Sequence, residues 1–197
     1  MSPERAPIFD PDGNPLLTDD VALIPLAQAW LARANEIGPR FVAAAEDPRT
    51  RRDFLRLGKE RTSARTSAQY FLEEAVRRNL PDSHMLLAEV LAPSDGRRAL
   101  TIALAAPDDA RGDALAAVAM TLHPNETVHM DGGTYDRDAV LGLAADNGHE
   151  PSALERAHLH AEQLEGVIES ARSAPSDATD AEIMRLEAAI TRDLEQH

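Results

Sequence analysis

Apolar positions along this chain recur mostly at spacings of three and four, the period of one helical face. Val21, Leu23, Ile24, Ala27, Trp30 and Leu31 follow Thr18, Asp19 and Asp20, all good N-cap material. That pattern predicts a helix, broken at Gly38-Pro39, with a short helix over Phe41 to Ala45 after it. Asp47-Pro48 marks the next start, a helix or helix pair running to about Leu80 and stopped by Pro81. The first half of this stretch is basic, and the second has an apolar face from Tyr70, Phe71, Leu72, Ala75 and Val76. Before all of this, residues 1 to 17 hold four prolines and show no period, which predicts an extended or disordered leader.

Further along, two short apolar runs, His84 to Leu91 and Ala99 to Ala105, flank a Pro-Ser-Asp-Gly punctuation. Hairpin-like spacing argues for strands and alanine richness for helices, so residues 84–105 stay open between the two. Pro107-Asp108-Asp109 opens a helix through Leu115, Val118 and Ala119. An Asp131-Gly132-Gly133 turn leads into a short helix from about Arg137 to Ala145, ended by Asn147-Gly148. Ser152 to Glu155 and Thr179 to Glu182 are capping-box patterns and predict two further helices. Leu154, Ala161, Leu164, Ile168 and Ala171 define one face of the first. Ile183, Leu186, Ile190 and Leu194 define one face of the second. The two could pair across the Pro175 turn, or meet copies of themselves in a homodimer.

Composition narrows the chemistry. Hydrophobic residues are 43% of the 197, enough for a core, but aromatics are only 4%, so the core must be built from Ala, Leu, Val and Ile. Such a core favours packed helices over a large sheet. No segment is a membrane span or a classical secretory signal. With no cysteine, disulfides, thiol nucleophiles and Cys-rich zinc sites are excluded. The net charge of −14 is uneven: residues 1–100 carry 14 Lys+Arg against 15 Asp+Glu, whereas residues 101–197 carry 6 against 19. The acidic half argues against nucleic-acid binding through phosphates. The basic run Arg49 to Arg65 includes a helical stripe, Arg49, Arg52, Arg56 and Lys59, read as a solvated or intramolecularly paired face.

Motifs of the common catalytic kinds do not occur: there is no Gly-rich phosphate loop, nucleophile elbow or HExxH. Glu155, His158 and Glu162 share a helical face at a spacing able to ligate metal, but no second helix supplies a matching Glu-x-x-His, so they read as a solvated face. No metal and no cofactor is expected. His123, His129, Asp131, Asp136 and Asp138 lack the ligand order of a calcium loop.

One segment carries more. In DGGTYDRDAVLGLAADNGHEP, Asp131-Gly132 suits a hairpin turn needing positive φ, and Tyr135 offers an aromatic body to a small core. Arg137 can clamp carboxylates in a bidentate pair, and Gly148 suits a helix end. Asp131, Gly132, Thr134, Tyr135, Arg137, Ala139, Val140, Leu143, Asn147, Gly148 and Pro151 fall without a gap on the pattern of a U-box ubiquitin-ligase domain, which this segment resembles. The resemblance covers residues 131–151 well and about 115–172 loosely. It implies a scaffold that holds a ubiquitin-charged conjugating enzyme, using orientation in place of a nucleophile of its own. Carried over by position, the partner contacts are Val118 or Met120, Leu143 and Pro151. Several features depart from the family: Met120 to Met130 lacks its Asp-Pro and offers Asn125-Glu126, and Ser152-Ala153-Leu154 follows Pro151 where Pro-x-Thr and a basic residue are usual, the nearest cation being Arg156. Leu143 stands where a Trp is usual, Gly133 where a His is usual, and Ser152 to Glu155 reads as a helix start where the family has a loop.

The expected fold is therefore mainly α, with a leader over 1–17, a helical domain over 18–110, a U-box-like α+β module over 111–172 and a C-terminal helix over 173–197. The expected function is a U-box-like ubiquitin ligase of bacterial type, cytoplasmic or delivered to a host cytosol as an effector, with its protein substrate unspecified. The alternative is a non-enzymatic acidic helical binding module: an adaptor, a chaperone or an immunity-type protein.

Overall fold

The computed structural model describes residues 8–9, 15–16, 20–46, 48–123, 126–173 and 177–195. Within them the chain is mainly helical, with eight α-helices and two short antiparallel strand pairs. It divides into two compact units, Met1–Val90 and Leu91–His197.

In the first unit, β1 (Ile8–Phe9) pairs antiparallel with β2 (Pro15–Leu16), Ile8 opposite Leu16. The remainder of the expected leader, and the expected caps Thr18 and Asp19, lie outside the described residues. α1 (Asp20–Glu46) and α2 (Arg51–Arg77), each of 27 residues, form an antiparallel hairpin across a 3₁₀ turn at Pro48–Thr50. Arg78 at the end of α2 reaches Asp20 at the start of α1, which fixes the direction. α1 does not stop at Gly38-Pro39. Proline removes one backbone donor, but packing on both sides of it holds the helix together. Ile37, Ala44 and Leu57 form a buried cluster covered by Phe41 and Phe54, whose rings stack at 4.7 Å. Gly58 makes room for this, since a Cβ there would stand 3.1 Å from the Phe41 ring.

α2 ends where Asn79 takes a left-handed φ of 53° and Leu80 N donates to Ala75 O at 3.1 Å, a Schellman-type closure by asparagine. α3 (Ser83–Leu91) follows, and α4 (Gly96–Leu104) opens on Asp95, whose carboxylate accepts from Arg98 N at 3.0 Å. The undecided stretch 84–105 is thus helical. Local caps and alanines at buried positions (Ala88, Ala92, Ala99, Ala103) decide it in favour of helix packing.

The second unit stacks its elements in chain order: α4 on α5 (Asp108–Thr121), α5 on α6 (Arg137–Asp146), α6 on α7 (Glu150–Ser173), and α7 on α8 (Asp177–Glu195). Between α5 and α6 runs a hairpin of β3 (Val128–Met130) and β4 (Gly133–Tyr135), in register Val128 to Tyr135 and Met130 to Gly133. α4 packs against β3, and Gly96 permits the approach: a Cβ there would meet Val128 Cγ2 at 3.0 Å. Pro175, the expected turn between the last helices, lies outside the described residues. Among the described residues no helix is long and apolar enough to cross a membrane.

Candidate functional site

The hairpin and the helix after it are built by local chemistry. At the hairpin the glycine required by backbone is Gly133, the first residue of β4, at φ 147°, and not Gly132 within the two-residue turn as the sequence suggested. Cross-strand, His129 Nδ1 lies 3.0 Å from Thr134 Oγ1. Tyr135 folds back beneath the turn, its hydroxyl 3.4 Å from where a Cβ on Gly132 would stand. Asp136 caps α6 by accepting from Ala139 N at 2.8 Å. At the other end Gly148 (φ 86°) donates to Ala145 O, and His149 N to Ala144 O, a complete Schellman motif.

Arg137, the first residue of α6, donates to Glu155 of α7 at 2.8 Å and lies 3.9 Å from Met120 Sδ of α5. The pairing uses one guanidinium nitrogen and one carboxylate oxygen, so it is not the bidentate clamp expected. It still brings α5, α6 and α7 to one place. Of the contact residues carried over by position, Met120 (62% exposed) and Pro151 are open to solvent and Leu143 is half-buried. Val118 is fully buried in the core and has no surface to offer.

Pro151 sits in the first turn of α7, which starts at Glu150. The helix begins two residues before the Ser152 capping box because His149 does the capping: its Nδ1 accepts from Ser152 N at 3.2 Å and lies 2.7 Å from Ser152 Oγ. α8 likewise begins at Asp177, ahead of Thr179.

The α7 face also differs from expectation. Leu154 and Ile168 are 36% and 37% exposed, whereas Ala153, Ala157 and His160 are buried. On α8, Leu186, Ala189 and Asp193 face inward and Leu194 is 51% exposed. This rotation creates a charge cluster that the sequence reading missed. His160 Nδ1 lies 3.0 Å from Asp193 Oδ2, and His160 Nε2 lies 3.0 Å from Asp138 Oδ1. Arg156 bridges the same two carboxylates, Nε to Asp138 at 3.1 Å and NH1 to Asp193 at 3.3 Å. Asp193 is fully buried, so its charge is tolerable only because both partners reach it. Gly142 belongs to the arrangement, for a Cβ there would stand 2.9 Å from Arg156 NH1. Only local fragments of it stand in the sequence: Asp193 is seven residues from Leu186 on the same stripe, and Arg156 and His160 are one turn apart, but nothing local joins them to each other or to Asp138.

This cluster clasps α6, α7 and α8 together, with Asp193 and His160 buried and Asp138 partly exposed at its edge. The trio Glu155, His158 and Glu162 stays dispersed: Glu155 holds Arg137 while the other two are exposed. Among the described residues no group of three or more His, Cys, Asp or Glu is placed to hold a metal ion. No protein-family model, curated protein or solved structure matches the chain.

Proposed function

We propose that the second unit is a U-box-like docking scaffold that holds a ubiquitin-charged conjugating enzyme and steers its thioester toward a lysine of a protein substrate. The observation that carries this reading is the order strand, two-residue turn, strand, capped helix over residues 128–146, on the same residues whose spacing resembles the family. Continuous helix on both sides of a simple turn would have removed its basis. Exposed Met120 on α5, half-buried Leu143 on α6 and exposed Pro151 on α7 supply an apolar contact set, with Arg137 holding α5 and α7 to α6. Such a scaffold contributes orientation and restricted freedom to the transfer and needs no nucleophile.

A specific observation favours a second reading. Only Asn147, Gly148 and His149 separate α6 from α7, where the family has a longer irregular loop. A docking surface lacking that loop would serve a non-enzymatic adaptor equally well. Autoubiquitination by purified protein with a panel of conjugating enzymes separates the two. The ligase reading expects chains from the wild type, lost in Leu143→Ala and Pro151→Ala while circular dichroism stays unchanged. Folded wild-type protein that forms no chains with any enzyme leaves the adaptor.

A further inference from the structure

A groove of about 350 Å³ runs between α1 and α2, entirely within the first unit. Its apolar lining is the half-buried Trp30 with the buried Ile37 and Ala64, and Lys59 and Arg33 stand along it as cations, Arg33 within 3.3 Å of Glu36. Glu60, the carboxylate on the groove, is held by Arg56 at 2.9 Å, which offsets its charge there. The cations continue beyond the groove: residues 51–65 of α2 carry six Lys or Arg against two Asp or Glu, both of which pair with Arg56, and Arg51, Arg52 and Lys59 are exposed. In a chain whose net charge is −14, this is a local reversal of sign. The indole Nε1–H of Trp30 is closed off from water with no acceptor among the described residues, an unfavourable state for a donor.

We propose that this groove binds an acidic peptide segment of a partner protein, with an apolar side chain of the segment on the half-buried Trp30 and its carboxylates on Lys59 and Arg33. The argument is charge complementarity extended over a length. A volume near 350 Å³ is that of a small ligand site, but the cationic strip running on along α2 matches a chain of carboxylates better than a single one. The proposal goes beyond the ligase reading and does not depend on it.

Trp30 is the sole tryptophan, so its fluorescence reports the site directly. The probe is a synthetic ten-residue peptide of alternating Glu and Leu, titrated into the full chain, with an alternating Gln and Leu peptide of the same length as control. Expected are a shift in Trp30 emission by the acidic peptide, at least tenfold weaker binding in Lys59→Glu and in Arg33→Glu, and no response to the control. Both substituted side chains are on the surface, and circular dichroism verifies folding. Equal binding of the control, indifference to both reversals, or no response at all overturns the proposal. So does tighter binding of a single-stranded oligonucleotide, or self-association abolished by the same reversals, which would make the occupant a second copy.

Discussion

Asp193 is the buried carboxylate at which the cluster joining α6, α7 and α8 closes. It is buried without exposure and meets His160 at 3.0 Å and Arg156 at 3.3 Å. Removing one member of a buried ion cluster leaves the others uncompensated, so Asp193→Ala is expected to destabilise the unit by about 3–5 kcal/mol, read from the urea midpoint. An unchanged midpoint would show the cluster to be incidental. His84 behaves differently. It is buried at the start of α3, and desolvation lowers its pKa from the ordinary 6.5. The unfolded chain therefore binds a proton there more readily than the folded one. The His84 contribution is fully present above the unfolded value and is lost as pH falls through it toward the folded value. His84→Gln is accordingly expected to shrink the loss of stability between pH 7.5 and 5, and an identical loss in the variant would contradict it.

At the scale of elements, tight backbone approaches set where the pieces sit. Gly112 on α5 faces the α6–α7 connection, and a Cβ there would stand 2.7 Å from Asn147 O and 3.1 Å from His149 N. Alanine gains about 1 kcal/mol in helix propensity over glycine. Overpacking against backbone outweighs that gain, so Gly112→Ala is expected to cost about 1–3 kcal/mol in thermal or urea unfolding. A stabilised variant would mean that the connection is free to move. Helices with strong local punctuation were legible in the sequence: Pro107 before α5, Asn147-Gly148 after α6 and Pro81 beyond α2 act through the nearest few residues. What was not legible depended on contacts distant in sequence. Pro39 is carried inside α1 because Phe41 and Ile37 pack on α2, and α7 is turned so that His160 rather than Leu154 faces inward because Asp138 and Asp193 await it. An apolar stripe containing histidine and aspartate looks interrupted until their partners are known, which is why the cluster, unlike the hairpin and α6, was missed.

At the scale of the molecule, the two units carry different chemistry. The first presents a cationic, tryptophan-lined groove, and the second a hairpin and helix set in an acidic helical stack. In the second unit, the proposed role of Leu143 and Pro151, with the hairpin–helix behind them, is to hold a charged conjugating enzyme in a reactive orientation. The most direct measurement is single-turnover discharge of ubiquitin from its conjugating enzyme onto free lysine, which needs neither a substrate nor chain formation. Discharge is expected to be faster when the protein is added, falling at least tenfold toward the unassisted rate in Leu143→Ala while Asp131→Asn, a change at the exposed turn, leaves it intact. A discharge rate unmoved by folded wild-type protein, across the panel of conjugating enzymes, would contradict it.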